Sequence, residues 1–138
     1  MKRKVVATVV ILAVISIAFI ICSFSNKEGY TEVTPSQVEK LVDSGKQVYV
    51  YFYSENCVTC RKIKSNLKKL KKENNRLQVY GINVDDYIES DFIEEYAGYK
   101  VPKLVEFIDG SKYKELEDKS IDALRQFIVV DNDVKKKS

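Results

Sequence analysis

The stretch that most constrains the fold joins a buried strand to a helix that begins at two cysteines. Residues 48–53, Val-Tyr-Val-Tyr-Phe-Tyr, are all β-branched or aromatic, which is typical of a strand covered on both faces. A short polar break follows, and Cys57 and Cys60 then stand where apolar residues begin to recur at helical spacing. The sequence therefore predicts that both thiols lie where a central strand passes into a helix.

The start of a helix favours thiol chemistry. Its first turn has unpaired backbone N–H groups and the positive end of the helix dipole, so a thiol there ionises more easily, and the thiolate is the form that attacks disulfides. Cys57 is therefore the predicted nucleophile. Cys60 follows about one helical turn later on the same face, so it can close a disulfide onto Cys57 and act as the resolving thiol.

Composition excludes several other kinds of site. The sequence contains no His, which removes His-based acid–base catalysis and a common zinc ligand. With only three cysteines in all, Cys57 and Cys60 lack the further ligands that structural zinc requires, so no metal site is predicted. Lys and Arg total 23 against 20 Asp and Glu, a balance that does not indicate a nucleic-acid-binding protein.

The N-terminal residues predict a membrane segment. A basic segment at residues 1–4 precedes residues 5–24, which carry no charge and at about 1.5 Å per residue can cross a hydrocarbon core of about 30 Å. The basic residues before the span favour a cytoplasmic N-terminus and an extracytoplasmic domain on a single-pass cell-membrane protein. An uncleaved anchor is the preferred interpretation. The alternatives are a signal peptide cut after Ser23 and Ser25, which would release the protein, and a lipoprotein modified at Cys22.

The remaining chain predicts one domain at residues 34–131, joined to the span by a polar tether at residues 25–33 and followed by a basic tail at residues 132–138. The predicted elements are a helix capped by Thr34, a strand at 47–53, the cysteine-headed helix, a strand at 77–84, a helix capped by Asp85 or Asp86 and carrying Ile88, a hairpin turning at Asp109 and Gly110 into residues 111–116, and a last helix from near Ser120. This order indicates an α/β fold with a mixed central sheet flanked by helices.

With these elements in order, the sequence resembles the thioredoxin-like superfamily over roughly residues 34–130. The matching residues are the strand leading into Cys57-Val58-Thr59-Cys60, the strand ending at Asp85, the segment Gly98-Tyr99-Lys100-Val101-Pro102 and the hairpin at 104–110. The resemblance implies that the peptide bond before Pro102 is cis beside the cysteine pair, that Val101 offers its backbone to an extended substrate, and that Val58 and Thr59 tune the thiols. The alternative is a trans proline that only begins a strand.

The sequence departs from the family pattern at two positions that bear on proton transfer. Where thioredoxins carry a buried Asp that assists the second thiol, this chain has Tyr51, and Gly81 stands at the position of the partner Lys. Asn56 also replaces the aromatic residue that is usual before the first cysteine. The proton of Cys60 must then pass to water, to a substrate group or to Glu55.

Together with the predicted membrane span, the resemblance implies a membrane-tethered, extracytoplasmic thiol–disulfide oxidoreductase, similar in layout to small anchored thioredoxin-like proteins of Gram-positive bacteria. Its substrates would be cysteine-containing proteins. No dissociable cofactor is implied, and a membrane or secreted redox partner would exchange electrons with it. The residues between the thiols tune the reduction potential, so reduction, formation and isomerisation of disulfides all remain open. The alternative is a catalytically idle thioredoxin-like binding or accessory protein, and a metal-binding module is disfavoured by the ligand count.

Overall fold

The computed structural model describes Met1, Ile11, residues 28–98 and residues 100–130. Several predictions therefore lie wholly or largely outside the described residues. They concern the basic segment, the membrane segment with Cys22, most of the tether, Tyr99 and the tail. Among the residues that are described, no helix is long and apolar enough to cross a membrane.

Five strands form one mixed sheet in the order β1-β3-β2-β4-β5. The strands are β1 (Thr31–Glu32), β2 (Val48–Tyr53), β3 (Tyr80–Asn83), β4 (Lys103–Ile108) and β5 (Ser111–Glu115). β3 runs parallel to β1 and β2, whereas β4 is antiparallel to both β2 and β5. β2 is central, and all six of its residues are buried, which explains its uninterrupted run of apolar and aromatic side chains.

Helices cover both faces of this sheet. They are α1 (Pro35–Asp43), α2 (Val58–Glu73), α3 (Asp91–Tyr96) and α4 (Ile121–Arg125), with a π-helical turn at Gln126–Val130 continuing α4. α1 and α3 pack on one face around Val50 and Phe52, and α2 and α4 pack on the other around Tyr49 and Tyr51. The predicted α/β class with a mixed central sheet flanked by helices is confirmed.

The ends of α1 and the β4–β5 hairpin follow local sequence rules. Thr34 caps α1 in a reciprocal pair of hydrogen bonds with Gln37, and Gly45 ends the helix segment with φ of 72°. Asp109 and Gly110 form the two-residue hairpin turn with φ of 50° and 78°, as their sequence predicts.

The segment after β3 differs from its prediction. β3 is shorter than the expected 77–84, and neither Asp85 nor Asp86 caps a long helix. Instead Asn83 caps a 3-10 turn at Val84–Asp86, because the two carboxylates accept hydrogen bonds from Ser54 and Asn83. The next helix, α3, begins only at Asp91, which leaves Ile88 64% exposed instead of on a buried face.

The folded domain also begins earlier than residue 34. Thr31 and Glu32, predicted to belong to the tether, pair with Tyr80 and Gly81 of β3. Tyr30 is 6% exposed and belongs to the core on the α2 side of the sheet. At the other end of the sheet, β5 stops at Glu115, one residue short of its predicted end.

Candidate active site

Cys57 is the N-cap residue of α2 and is disulfide-bonded to Cys60, with 5.2 Å between their Cα atoms. The backbone N–H of Cys60 donates a hydrogen bond to Cys57 Sγ at 3.1 Å, and the hydroxyl of Thr59 lies 3.3 Å from the same sulfur. Cys60 is 3% exposed, whereas Cys57 is partly exposed. Cys57 is therefore the sulfur of this pair that an outside group can reach.

The surroundings of Cys57 favour negative charge on its sulfur once the disulfide is reduced. The first turn of α2 contains no acidic residue. The two donors at Cys57 Sγ and the positive end of the α2 dipole both stabilise a thiolate more than a neutral thiol.

Val58 and Thr59, between the cysteines, differ in what they touch. Thr59 reaches Cys57 Sγ through its hydroxyl, whereas Val58 is 71% exposed. Thr59 can therefore act on the thiol directly, and Val58 presents an apolar surface beside the exposed sulfur.

The peptide bond between Val101 and Pro102 is cis. Pro102 lines a small cavity together with Tyr51 and Ile63, so the cis peptide lies on the α2 side of the sheet. Val101 and Cys57 are both partly buried and pack against the core cluster that contains Cys60. Cys57, Cys60 and Pro102 thus share the α2 side of the sheet, and Val101 lies beside them where it contacts the core clusters of both faces.

The thioredoxin family matches residues 30–130 of the sequence. The chain belongs to the thioredoxin family. Members of this family exchange thiols and disulfides with cysteine-containing proteins, and the Cys57–Cys60 disulfide at the start of α2 agrees with that activity. The protein is thus a thiol–disulfide oxidoreductase.

Solved thioredoxins share the fold at low sequence identity. Mitochondrial thioredoxin 3 of Saccharomyces cerevisiae in its oxidised form superposes with a TM-score of 0.60 at 21% identity, over 75% of this chain and 97% of its own. Fasciola hepatica thioredoxin gives 0.58 at 25% identity, over 69% and 91%. Thioredoxin NaTrxh of Nicotiana alata gives 0.63 at 15% identity, over 77% and 95%.

At the position of the buried Asp of thioredoxins, Tyr51 occupies the core. It is 1% exposed, and its hydroxyl donates a hydrogen bond of 2.8 Å to the backbone carbonyl of Cys60. Burial, with a smaller contribution from Tyr30, raises the pKa of the Tyr51 phenol far above its usual value of 10. Tyr51 therefore stays protonated and positions Cys60, and it cannot serve as a base for the Cys60 thiol.

Tyr30, the residue just before β1, fills the space at the position of the thioredoxin Lys. Gly81 pairs with Tyr51 across β2 and β3, and the ring of Tyr30 lies where a side chain at position 81 would project. Tyr30, Tyr51 and Tyr53 form a cluster with ring centroids 5.2–5.4 Å apart. An aromatic cluster thus replaces the charged pair of the family.

The sequence analysis missed Tyr30. A signal for it was present, because a glycine inside a strand often marks the close approach of another group, and Gly81 is such a residue.

A cleft of about 220 Å³ opens beside Cys60. It is lined by Tyr51, Tyr53, Ser54, Glu55, Cys60, Arg61 and Lys64. Glu55 and Arg61 are exposed, so the cleft joins the buried thiol to solvent. Glu55 is the one carboxylate among the described residues that line this cleft, and solvent can enter through its opening, so Glu55 or water can accept the proton of Cys60.

Lys64, on the wall of the cleft, contacts the first residues of the segment that leads into β1. Its ammonium lies 2.7 Å from the carboxylate of Glu28 and 5.8 Å from the ring centroid of Tyr30. The hydrogen bond with Glu28 raises the pKa of Lys64 and lowers that of Glu28. No cluster of three or more His, Cys, Asp or Glu that could hold a metal ion occurs in the part of the chain that the structure describes.

Proposed function

We propose that this protein is a membrane-tethered thiol–disulfide oxidoreductase whose domain faces the extracytoplasmic side and acts on cysteine-containing proteins. The observation that carries the proposal is the arrangement of the two sulfurs: Cys57 is partly exposed at the N-cap of α2 with two hydrogen-bond donors, and Cys60 is buried behind it. This arrangement suits one attacking thiol and one resolving thiol.

In the reducing direction, the Cys57 thiolate attacks one sulfur of a substrate disulfide and forms a mixed disulfide, while the other substrate sulfur leaves as a thiolate. Cys60 then loses its proton to solvent through the adjoining cleft and attacks the Cys57 sulfur. The substrate leaves as a dithiol, and the two electrons that it gained come from the Cys57–Cys60 pair. Oxidation of a substrate is the same sequence in reverse.

Val101 and Pro102 suit a role in binding the substrate chain. Pro102 has no N–H to donate, whereas the partly exposed Val101, which packs against the core cluster that Cys57 also contacts, has both a backbone N–H and a carbonyl. An extended peptide paired with Val101 would hold its cysteine at Cys57 Sγ.

The charge-free residues 5–24 and the basic residues before them support the tether and the outward orientation of the domain, as in small anchored thioredoxin-like proteins of Gram-positive bacteria. A reductant on this side of the membrane needs electrons from a membrane or secreted partner, because the proposal assigns the protein no cofactor of its own.

The test is capture of substrates by a variant that cannot resolve the mixed disulfide. Cells would carry the full chain with Cys22→Ala and Cys60→Ser, and the matched control would carry Cys22→Ala and Cys57→Ser. We expect dithiothreitol-sensitive adducts with the first variant alone, and carbonate extraction should leave these adducts in the membrane fraction. Adducts in neither variant would support the idle accessory protein instead.

The reduction potential of the purified full-length protein, equilibrated against glutathione or dithiothreitol buffers, then sets the direction. A value near thioredoxin's roughly −270 mV indicates a reductant, and one of about −120 to −180 mV indicates an oxidase or isomerase. A pair that forms no disulfide at any buffer ratio would contradict the enzymatic proposal.

A further inference from the structure

Charge is distributed very unevenly between α2 and the rest of the domain. α2 contains seven Lys or Arg residues and one Glu, whereas the remaining residues between 28 and 130 contain nine Lys or Arg against seventeen Asp or Glu. The exposed cations of α2 are Arg61, Lys62, Lys68, Lys69 and Lys72, which we call the basic face. Their spacing places them on the side of the helix opposite the buried Ile63, Leu67 and Leu70.

The chain enters the domain directly over this helix. Gly29, with φ of 86°, lies so close to α2 that a Cβ on it would stand 2.5 Å from the backbone carbon of Leu67 and the nitrogen of Lys68. Glu28 is bound to Lys64 of the same helix. Four peptide steps separate residue 28 from residue 24, and at about 3.6 Å per residue they reach at most about 14 Å. The middle of α2 is therefore held close to the end of residues 5–24.

We propose that the basic face of α2 docks on the anionic lipid headgroups of the membrane that holds residues 5–24; this inference rests on the proposed tether. Polybasic surfaces are attracted to anionic leaflets over about a Debye length, which is about 8 Å at physiological ionic strength. The tether keeps residue 28 within about 14 Å of residue 24, less than two Debye lengths, so the basic face can come within range of the headgroups. The other surfaces of the domain carry excess negative charge and are repelled, so the domain takes one orientation.

This orientation has a consequence for the redox site. Cys57 is at the N-terminal end of α2, so a helix that lies along the headgroups keeps the exposed sulfur near the membrane surface. Cysteines in extracytoplasmic loops of membrane proteins, or just outside the bilayer, are then the most accessible substrates. An acidic protein could also be attracted to the same face, but it would have to enter between the domain and the membrane.

The test measures lysine reactivity in the full chain reconstituted into vesicles. A membrane-impermeant amine-reactive ester would be applied to vesicles of phosphatidylcholine alone and to vesicles with added phosphatidylglycerol, and mass spectrometry would give the labelling at each lysine. We expect labelling of Lys68, Lys69 and Lys72 to fall about threefold or more in the anionic vesicles and to recover at high salt. Lys40 and Lys46 are the internal controls, because both are exposed and lie in or just after α1, the helix that packs on the opposite face of the sheet from α2.

A charge-removal variant makes the test specific to the helix. In the triple variant Lys68→Gln, Lys69→Gln and Lys72→Gln, the protection of Lys62 should be lost, whereas the matched pair Lys40→Gln and Lys46→Gln should keep it. These side chains are exposed, so circular dichroism of all the variants should match that of the unmodified protein.

The outcomes separate the docking from the tether. If the lysines of the basic face are labelled equally in both kinds of vesicle, the docking is overturned. If the chain nevertheless stays with the vesicles after a high-salt wash, the tether remains in place. A chain that does not float with either vesicle overturns the tether, and the docking with it. Soluble polyglutamate could protect the same lysines on neutral vesicles while anionic lipid does not. That result would overturn docking on the membrane and indicate an acidic protein as the partner of the basic face.

Discussion

The Thr59→Val substitution tests whether the hydroxyl beside Cys57 tunes the redox pair. Thr59 Oγ1 lies 3.3 Å from Cys57 Sγ. A hydrogen bond to a charged group contributes about 1.5–3 kcal/mol and one between neutral groups about 0.5–1.5 kcal/mol, so the hydroxyl should favour the thiolate over the disulfide by about 1 kcal/mol. Water replaces part of this interaction because Thr59 is exposed, which leaves about 0.5–1 kcal/mol.

This difference predicts two coupled shifts. At 1.36 kcal/mol per pKa unit, the pH midpoint for alkylation of reduced Cys57 should rise by about 0.4–0.7 units in Thr59→Val. At about 30 mV per 1.4 kcal/mol, the reduction potential should become more negative by about 10–20 mV, because the reduced thiolate form loses more stabilisation than the disulfide does.

Both quantities can be measured in a Cys22→Ala background, with iodoacetamide rates across pH and with equilibration against dithiothreitol. The matched control is Thr59→Ser, which keeps the hydroxyl and removes the methyl group. Equal shifts in the two variants would show that the methyl group or the helix start is responsible, and no shift in either would refute a role for the hydroxyl.

Three further substitutions test the packing beneath the site. Above pH 10 the unfolded chain releases phenol protons that the folded state keeps, so each buried phenol lowers stability by up to about 1.4 kcal/mol per pH unit. Tyr51→Phe should therefore reduce the loss of stability at high pH. Equal urea midpoints in the variant and the parent at pH 8 and at pH 11 would contradict this. Gly81→Ala should cost about 1–3 kcal/mol by overlapping the Tyr30 ring, and a double-mutant cycle with Tyr30→Ala should recover much of that cost. Gly29→Ala should destabilise far more than Gly45→Ala by urea unfolding, because both glycines have positive φ but only Gly29 lies against another backbone.

Several parts of the fold could be predicted because their signals are local. The burial of β2 follows from six consecutive apolar or aromatic residues, and the start of α1 from Thr34 and Pro35. The hairpin turn follows from Asp109 and Gly110, whose positive φ values suit few other residue pairs.

The errors occurred where distant partners decide the structure. Asp85 has the composition of a helix cap, but Ser54, 31 residues earlier, donates a hydrogen bond to its carboxylate. β1 has only two residues and no periodicity of its own, so nothing local distinguishes it from a tether. Its pairing with β3 depends on residues about fifty positions further along the chain.

Tyr30 makes the segment just before β1 part of the redox site. Its ring covers Gly81 and packs on Tyr51, which in turn holds the backbone of Cys60. A soluble fragment that begins at the predicted boundary, residue 34, would lack this ring. Deleting a large buried aromatic side chain costs about 3–5 kcal/mol, so such a fragment should unfold at a much lower urea concentration than one that begins at residue 28.

The shorter fragment should also misplace the resolving thiol, since Tyr51 would then border a cavity. We therefore expect a slower second step, measured as release of a chromogenic thiol from a preformed mixed disulfide at Cys57. The first step should change less, because the donors to Cys57 Sγ belong to α2 itself. Two fragments with equal stability and equal rates of both steps would show that Tyr30 only fills space beside a site that α2 and the sheet already hold in place.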